Sequence, residues 1–167
     1  MIAILFALSL FGAVAAQAQP LPNAAPPNSV NKVTADAFAA CRQAGGRPEV
    51  KAGYQTNYEI NHDGKPDVLL DMSRLACVET TSAAPACGSV GCPLRIFLSG
   101  PKGLQPALDL PVLRWSVALQ GPRTVLTLSL PGSQCEPTSA AACERRLVWN
   151  GHGFADQKTG HAFPAKH

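Results

Sequence analysis

Tyr58-Glu59-Ile60-Asn61-His62-Asp63-Gly64-Lys65-Pro66-Asp67-Val68-Leu69-Leu70 is the stretch from which the architecture can be read. Tyr58 and Ile60 on one side and Val68-Leu69-Leu70 on the other are residue types that favour extended backbone, and Asp63-Gly64 between them is a strong tight-turn signal. The pattern is strand, loop, strand. Side-chain oxygens also recur through it. With Glu59 counted as position 1, Asn61, Asp63 and Asp67 fall at 3, 5 and 9, Gly64 at 6 and Lys65 at 7. A turn explains Asp63-Gly64 but leaves Glu59, Asn61 and Asp67 without a reason.

Oxygen donors at these offsets, with glycine at 6 and a backbone carbonyl at 7, suit a hard divalent cation. The stretch resembles the DxNxDGxxD calcium loop shared by dockerins, EF-hands and the FG-GAP blades of integrin-like propellers. The resemblance covers residues 59–67 only. It implies calcium held by Glu59, Asn61, Asp63 and Asp67 with the Lys65 carbonyl, against the alternative of a plain turn. Two departures matter: Glu59 replaces the usual Asp, and Leu70 stands at position 12 where an EF-hand needs a bidentate Glu. Extended flanks bring the loop nearer to the FG-GAP form.

Outward from the loop, strand alternation puts Val68, Leu70 and Met72 on one face, expected to be core. Asp67, Leu69 and Asp71 share the other, where Asp71 either adds a carboxylate near the ion or stands solvated. Upstream, Thr34 as N-cap, Ala35 to Ala44 as helix formers and Gly45-Gly46 as a stop predict one short helix, with Phe38 and Cys41 on its apolar face. Downstream, strands are expected at 74–78, 94–98, 110–119 and 124–130. A further strand at Leu147-Val148-Trp149 runs through an Asn150-Gly151 type I′ turn into Phe154. Trp115 and Trp149 fall inside strands and are expected in the core. The fold class is therefore mainly β, with α+β open: an antiparallel curled sheet, small sandwich or open barrel carrying one N-terminal helix.

The apolar block Ile2 to Phe11 leading to Ala16-Gln17-Ala18 reads as a signal peptide, residues 1–18, though no Lys or Arg precedes the block. It is too short to span a membrane, so no transmembrane span is expected after cleavage. Residues 19–31, with Pro20, Pro22, Pro26 and Pro27, read as a disordered arm, residues 32–158 as one domain and 159–167 as a fraying tail. Six cysteines are an even number in an exported chain. The short spacings favour Cys87–Cys92 and Cys135–Cys143, leaving Cys41–Cys77 to staple helix to sheet.

A net charge of +3 without any basic stripe argues against nucleic acid. Ser89 lacks the glycine that a G-x-S-x-G nucleophile elbow needs two residues before it, because Cys87 is there, and Cys87 and Cys92 lack a zinc finger's spacing. His62, His152, His161 and His167 sit in loop, turn and tail without partners for acid/base work, so no catalytic residue is assigned. The acidic loop, the Cys87-Gly88-Ser89-Val90-Gly91-Cys92-Pro93 loop and the late cysteine pair together resemble small exported proteins of proteobacteria, which implies an envelope location. The expectation is a periplasmic or secreted non-enzymatic binding or structural domain, stabilised by calcium and disulfides. The alternative is an inhibitor or accessory protein whose partner is an envelope enzyme. A hydrolase using Glu59 and Asp71 is a third and weaker reading.

Overall fold

The computed structural model describes residues 29–80, 87–135 and 140–163. The leader and the Pro-rich arm up to residue 28 lie outside these residues. One helix, α1 (Val30–Gln43), precedes ten strands: β1 (Arg47–Val50), β2 (Gln55–Tyr58), β3 (Asp67–Asp71), β4 (Leu75–Val78), β5 (Cys92–Leu98), β6 (Gln105–Val112), β7 (Arg114–Gln120), β8 (Arg123–Leu130), β9 (Cys143–Trp149) and β10 (Phe154–Asp156). All pairing is antiparallel, in sheets ordered β2-β3-β5-β6, β10-β9-β8-β7 and β1-β4.

The two four-stranded sheets share a core. Leu69, Leu94, Ile96, Leu98, Leu108, Leu110 and Val112 from one meet Leu126, Leu128, Leu130, Leu147 and Phe154 from the other. The fold is mainly β, and of the three expected arrangements the sandwich is the one formed. Behind the first sheet, Tyr54, Val68, Leu70, Met72, Leu75 and Phe97 pack under Val30, Val33, Ala37 and Phe38 of α1. Strand β3 therefore lies in the middle of three layers, and all five of its residues are buried. Val68 and Leu70 are core as expected, but the opposite face of Asp67, Leu69 and Asp71 is core as well. The alternation pattern missed this because helix and second sheet cover both sides of one short strand.

Helix α1 begins earlier than its composition suggests, inside the expected arm. Ser29 caps it by accepting from the Lys32 N–H, while Thr34 sits within the first turns, donating to the Val30 carbonyl and accepting from the Tyr54 hydroxyl. At the other end Gly45 takes a left-handed φ of 78°, and the N–H groups of Gly45 and Gly46 close on the carbonyls of Arg42 and Cys41, the Schellman arrangement. Gly46 has a second reason to be glycine, since a Cβ there would run into Cys77 Sγ.

One expected strand, 110–119, is two. The chain leaves the first sheet at Val112, turns at Leu113 and enters the second as β7. The break is a change of parity: Leu108, Leu110 and Val112 point inward before it, Trp115 and Val117 after it. Strand β1 lies outside the strands expected from the sequence and carries Pro48, which is tolerated because β1 is an edge strand. The Asn150-Gly151 turn is longer than the expected two-residue form. Trp149 pairs with Phe154 across residues 150–153, and the Asn150 side chain accepts from the N–H groups of His152 and Gly153. Beyond Lys158 the chain does not fray at once: Ala162 bridges Ala155, the Phe163 N–H bonds the Phe154 carbonyl, and Phe163 packs on the core. Asp156 holds that turn by accepting from the N–H groups of Thr159 and Lys158, which keep its carboxyl below the usual range.

The disulfides are Cys41–Cys77, Cys87–Cys92 and Cys135–Cys143, the pairing expected from spacing, and no cysteine is free. Three such bonds place the folded chain in an oxidising, extracytoplasmic environment. Among the described residues no helix is long and apolar enough to cross a membrane. Cys41 and Cys77 are separated by 36 positions in the sequence, against 5 and 8 for the other pairs. Chain-entropy arithmetic gives about 4 kcal/mol for the long loop and about 2 kcal/mol for the shortest. Denaturant unfolding of Cys41→Ala/Cys77→Ala beside Cys87→Ala/Cys92→Ala should show the first pair losing more stability. Equal losses would contradict this account.

Candidate functional site

Strand β3 carries an aspartate at each end of its inner face, and each governs a different region of the molecule. Asp67 is completely buried. A buried carboxylate is tolerable only when donors surround it. Its Oδ2 accepts from the N–H groups of Ile60 (2.7 Å) and Asn61 (3.2 Å), and its Oδ1 from the Ser99 N–H (2.7 Å) and hydroxyl (2.9 Å). Asp67 thus ties the acidic loop to the end of β5.

The expected ligand set surrounds this anchor. Glu59 Oε1 and Asn61 Oδ1 both accept from the Asp63 N–H, at 3.0 and 3.1 Å, and the Asn61 amide donates to the Ser99 carbonyl. Asp63 Oδ1 accepts from the Lys65 N–H and from the Ser99 hydroxyl at 2.8 Å, while the Lys65 carbonyl lies 3.4 Å from that hydroxyl. Ser99 Oγ is therefore the point on which oxygens of Asp63, Lys65 and Asp67 converge, and its single hydrogen can serve only one at a time. No local pattern points to Ser99, which is 32 residues from Asp67 and meets it only because β5 pairs with β3.

The fit to calcium is partial. Asp67 gives most of its acceptor capacity to backbone N–H groups, and among the described residues no three acidic, histidine or cysteine side chains are grouped closely enough to hold a metal. Glu59, Asn61, Asp63 and the Lys65 carbonyl are acceptors whose lone pairs are only partly used, and Asp63 and Lys65 are exposed. An all-oxygen set of this kind matches calcium and no softer ion.

His62 has a partner on the other sheet. At a left-handed φ of 60° its Nε2 accepts from the Thr124 N–H (3.2 Å), and Thr124 Oγ1 donates to the Glu59 carbonyl (2.6 Å). Both bonds bind the loop to β8 of the other sheet.

Asp71, the second aspartate, is not solvated. Its Oδ1 accepts from the Ser73 N–H at 2.9 Å and its Oδ2 from the indole N–H of Trp115 at 3.0 Å, with Arg74 Nε 3.8 Å from the same oxygen. Trp115 also meets Tyr58 edge-to-face at 6.4 Å. This is a direct polar link between the sheets, at the floor of a cleft of about 430 Å³ lined by Ser73, Arg74, Gly91, Leu113 and Arg114. The rim is stiff. Gly88 and Gly91 exchange both backbone hydrogen bonds inside the Cys87–Cys92 ring, and a Cβ on Gly91 would collide with the Val112 carbonyl. Val90 at the ring's tip and Leu113 at the corner are large apolar side chains left exposed.

Tyr58 pairs with Asp67, so Glu59 lies just beyond the Asp67 end of β3, while Asp71 stands at its other end, roughly 13 Å further along by strand rise. The pair invoked for hydrolysis is not brought together. Asp67→Asn should cost about 3 kcal/mol, because it places an amide among N–H donors that need an anion. Trp115→Phe should cost about 1–3 kcal/mol through the orphaned Asp71 oxygen. Both are read by denaturant unfolding, and a Trp115→Phe protein as stable as the parent would remove the inter-sheet bond from this account. No family model, curated protein or solved structure matches the chain, so its function is argued from these side chains alone.

Proposed function

We propose that the chain is a periplasmic or secreted, non-enzymatic binding domain whose contact surface is the disulfide-framed end of the sandwich. The observation that carries this is the cleft beside Asp71 and Trp115. Its floor is a fixed hydrogen-bonded pair, its rim is part of a closed ring, and its mouth sets the guanidinium groups of Arg74 and Arg114 beside the exposed Leu113, with Val90 exposed on the adjoining ring. Arg74 is half compensated by Asp71, and among the described residues Arg114 makes no ion pair. Such a mouth suits an acidic segment of a partner protein with an apolar neighbour. A pre-stiffened surface also loses little entropy on binding.

Inhibition of an envelope enzyme is the narrower form of this reading, with the Val90 tip as the inserted element. Capture from envelope extract with the disulfide-bonded chain is the test. Arg114→Glu and Val90→Asp should each lose the captured protein. Leu104→Asp, at the far end of the β5–β6 hairpin, should retain it. Equal capture by Arg114→Glu would exclude this end as the contact surface.

The acidic loop supports a second reading, as a weak structural calcium site formed by Glu59, Asn61, Asp63 and the Lys65 carbonyl. Its support is the single Ser99 hydrogen shared between two carboxylates, a deficit of positive charge that a cation would fill. Such an ion would stiffen the loop and take no part in a reaction. At 100 times its dissociation constant it would add about 2.7 kcal/mol. Thermal unfolding in millimolar calcium should therefore exceed that in chelator, Asp63→Ala should abolish the difference, and His62→Ala should keep it. An unchanged parent midpoint would leave the loop as a hydrogen-bonded turn.

A further inference from the structure

We propose that β7 is a self-association edge, along which two copies of the chain pair antiparallel about a twofold axis through Val117. The proposal is independent of what the cleft binds. It rests on how the sheet edges are finished, since an open edge strand offers unpaired N–H and C=O groups to any extended chain and proteins ordinarily blunt it.

The four-stranded sheets end at β2, β6, β10 and β7. Strand β2 has only four residues, and β6 carries Pro106 and Pro111, which have no N–H to offer. Strand β10 has three residues and is covered on its outer side by the returning chain at His161 to Phe163. Strand β7 differs from all three. It runs seven residues, Arg-Trp-Ser-Val-Ala-Leu-Gln, with no proline and with its one charge at the end. Among the described residues its backbone pairs with β8 alone. Leu119 on it is 76% exposed, the highest value among the large exposed apolar side chains.

The register suits self-pairing. Gly121, at φ 60°, and Pro122 form a two-residue turn, so Gln120 and Arg123 are a hydrogen-bonded pair and alternate residues back from Gln120 bond to β8. Trp115, Val117 and Leu119 then direct their backbone groups outward. Antiparallel pairing about Val117 joins these three to their equivalents, with Trp115 of one copy opposite Leu119 of the other. The same pairing sets Arg114 opposite Gln120. The two Arg114 side chains lie six residues apart, roughly 20 Å along the ribbon, beyond the Debye length at physiological salt. No like charges meet, the exposed Leu119 is covered, and two four-stranded sheets become one of eight. Because the contact is isologous, assembly closes at the dimer.

Sedimentation velocity of the full disulfide-bonded chain between about 1 and 100 µM is the test, since mass action must reveal the dimer. Leu119→Lys puts a charge at the seam and Leu119→Pro removes an outward N–H; each should weaken dimerisation about tenfold or more while the monomer keeps its near-UV spectrum. Amide exchange of the parent provides a reading that needs no variant, with Trp115, Val117 and Leu119 slowing as concentration rises. A parent that stays monomeric at the highest concentration would overturn the proposal. So would a dimer that survives both substitutions, one in which these amides exchange unchanged, or growth beyond the dimer.

Discussion

The carboxylate of Asp67, buried at the end of a strand that has no exposed face, is the constraint to which most of the molecule answers. A charge in that position would be costly without donors, and three backbone N–H groups from two separate segments supply them. Satisfying Asp67 fixes where the acidic loop leaves β2, where β5 ends and where Ser99 stands. Through Glu59 and His62 the same loop reaches Thr124 on the opposite sheet, so one buried carboxylate sets the spacing of the sandwich at that end. Asp71 does the equivalent work at the other end through Trp115. Between the two, Leu69 contributes ordinary core packing.

Covalent links are found where this packing thins. Cys41–Cys77 joins α1 to the small β1-β4 sheet, which adds little apolar area of its own. Cys87–Cys92 closes the loop before β5, and Cys135–Cys143 ties the chain after β8 to the start of β9. A chain of this size gains from such staples because short strands and a single helix bury a limited core. The two ends of the sandwich then differ in kind. At the acidic loop Asp67 is satisfied by donors of the fold, and Glu59, Asn61 and Asp63 each accept from a backbone N–H of the loop itself. At the Asp71 end, Arg74, Leu113 and Arg114 are exposed beside the Cys87–Cys92 ring, and Val90 is exposed on the ring itself.

Strand edges follow a comparable division. Shortness, proline and the returning C-terminal segment finish three edges of the main sheets, while β7 is left regular. Its placement follows from the corner at Leu113, which carries the chain from one sheet's edge to the other's without a helix or long loop to cover the strand that begins there.

Local chemistry in the sequence determined a good deal. Turn residues and alternation specified mainly β structure, Gly45-Gly46 ended the helix, and cysteine spacing pointed to the two short disulfides and left Cys41–Cys77 as the third, because closing a short loop depends on neighbours along the chain. The oxygen spacing of residues 59–67 was legible as a feature, and the parity change between Val112 and Trp115 was present to be read as a corner. Tertiary structure decided the rest, for a common physical reason: a side chain's role depends on which donors and surfaces arrive from distant segments. Leu69 and Asp71 became interior residues because helix and second sheet cover both faces of β3. Asp67 became an anchor because Ser99 arrives on β5, Asp71 because Trp115 arrives on β7, and no periodicity within 59–72 carries either fact.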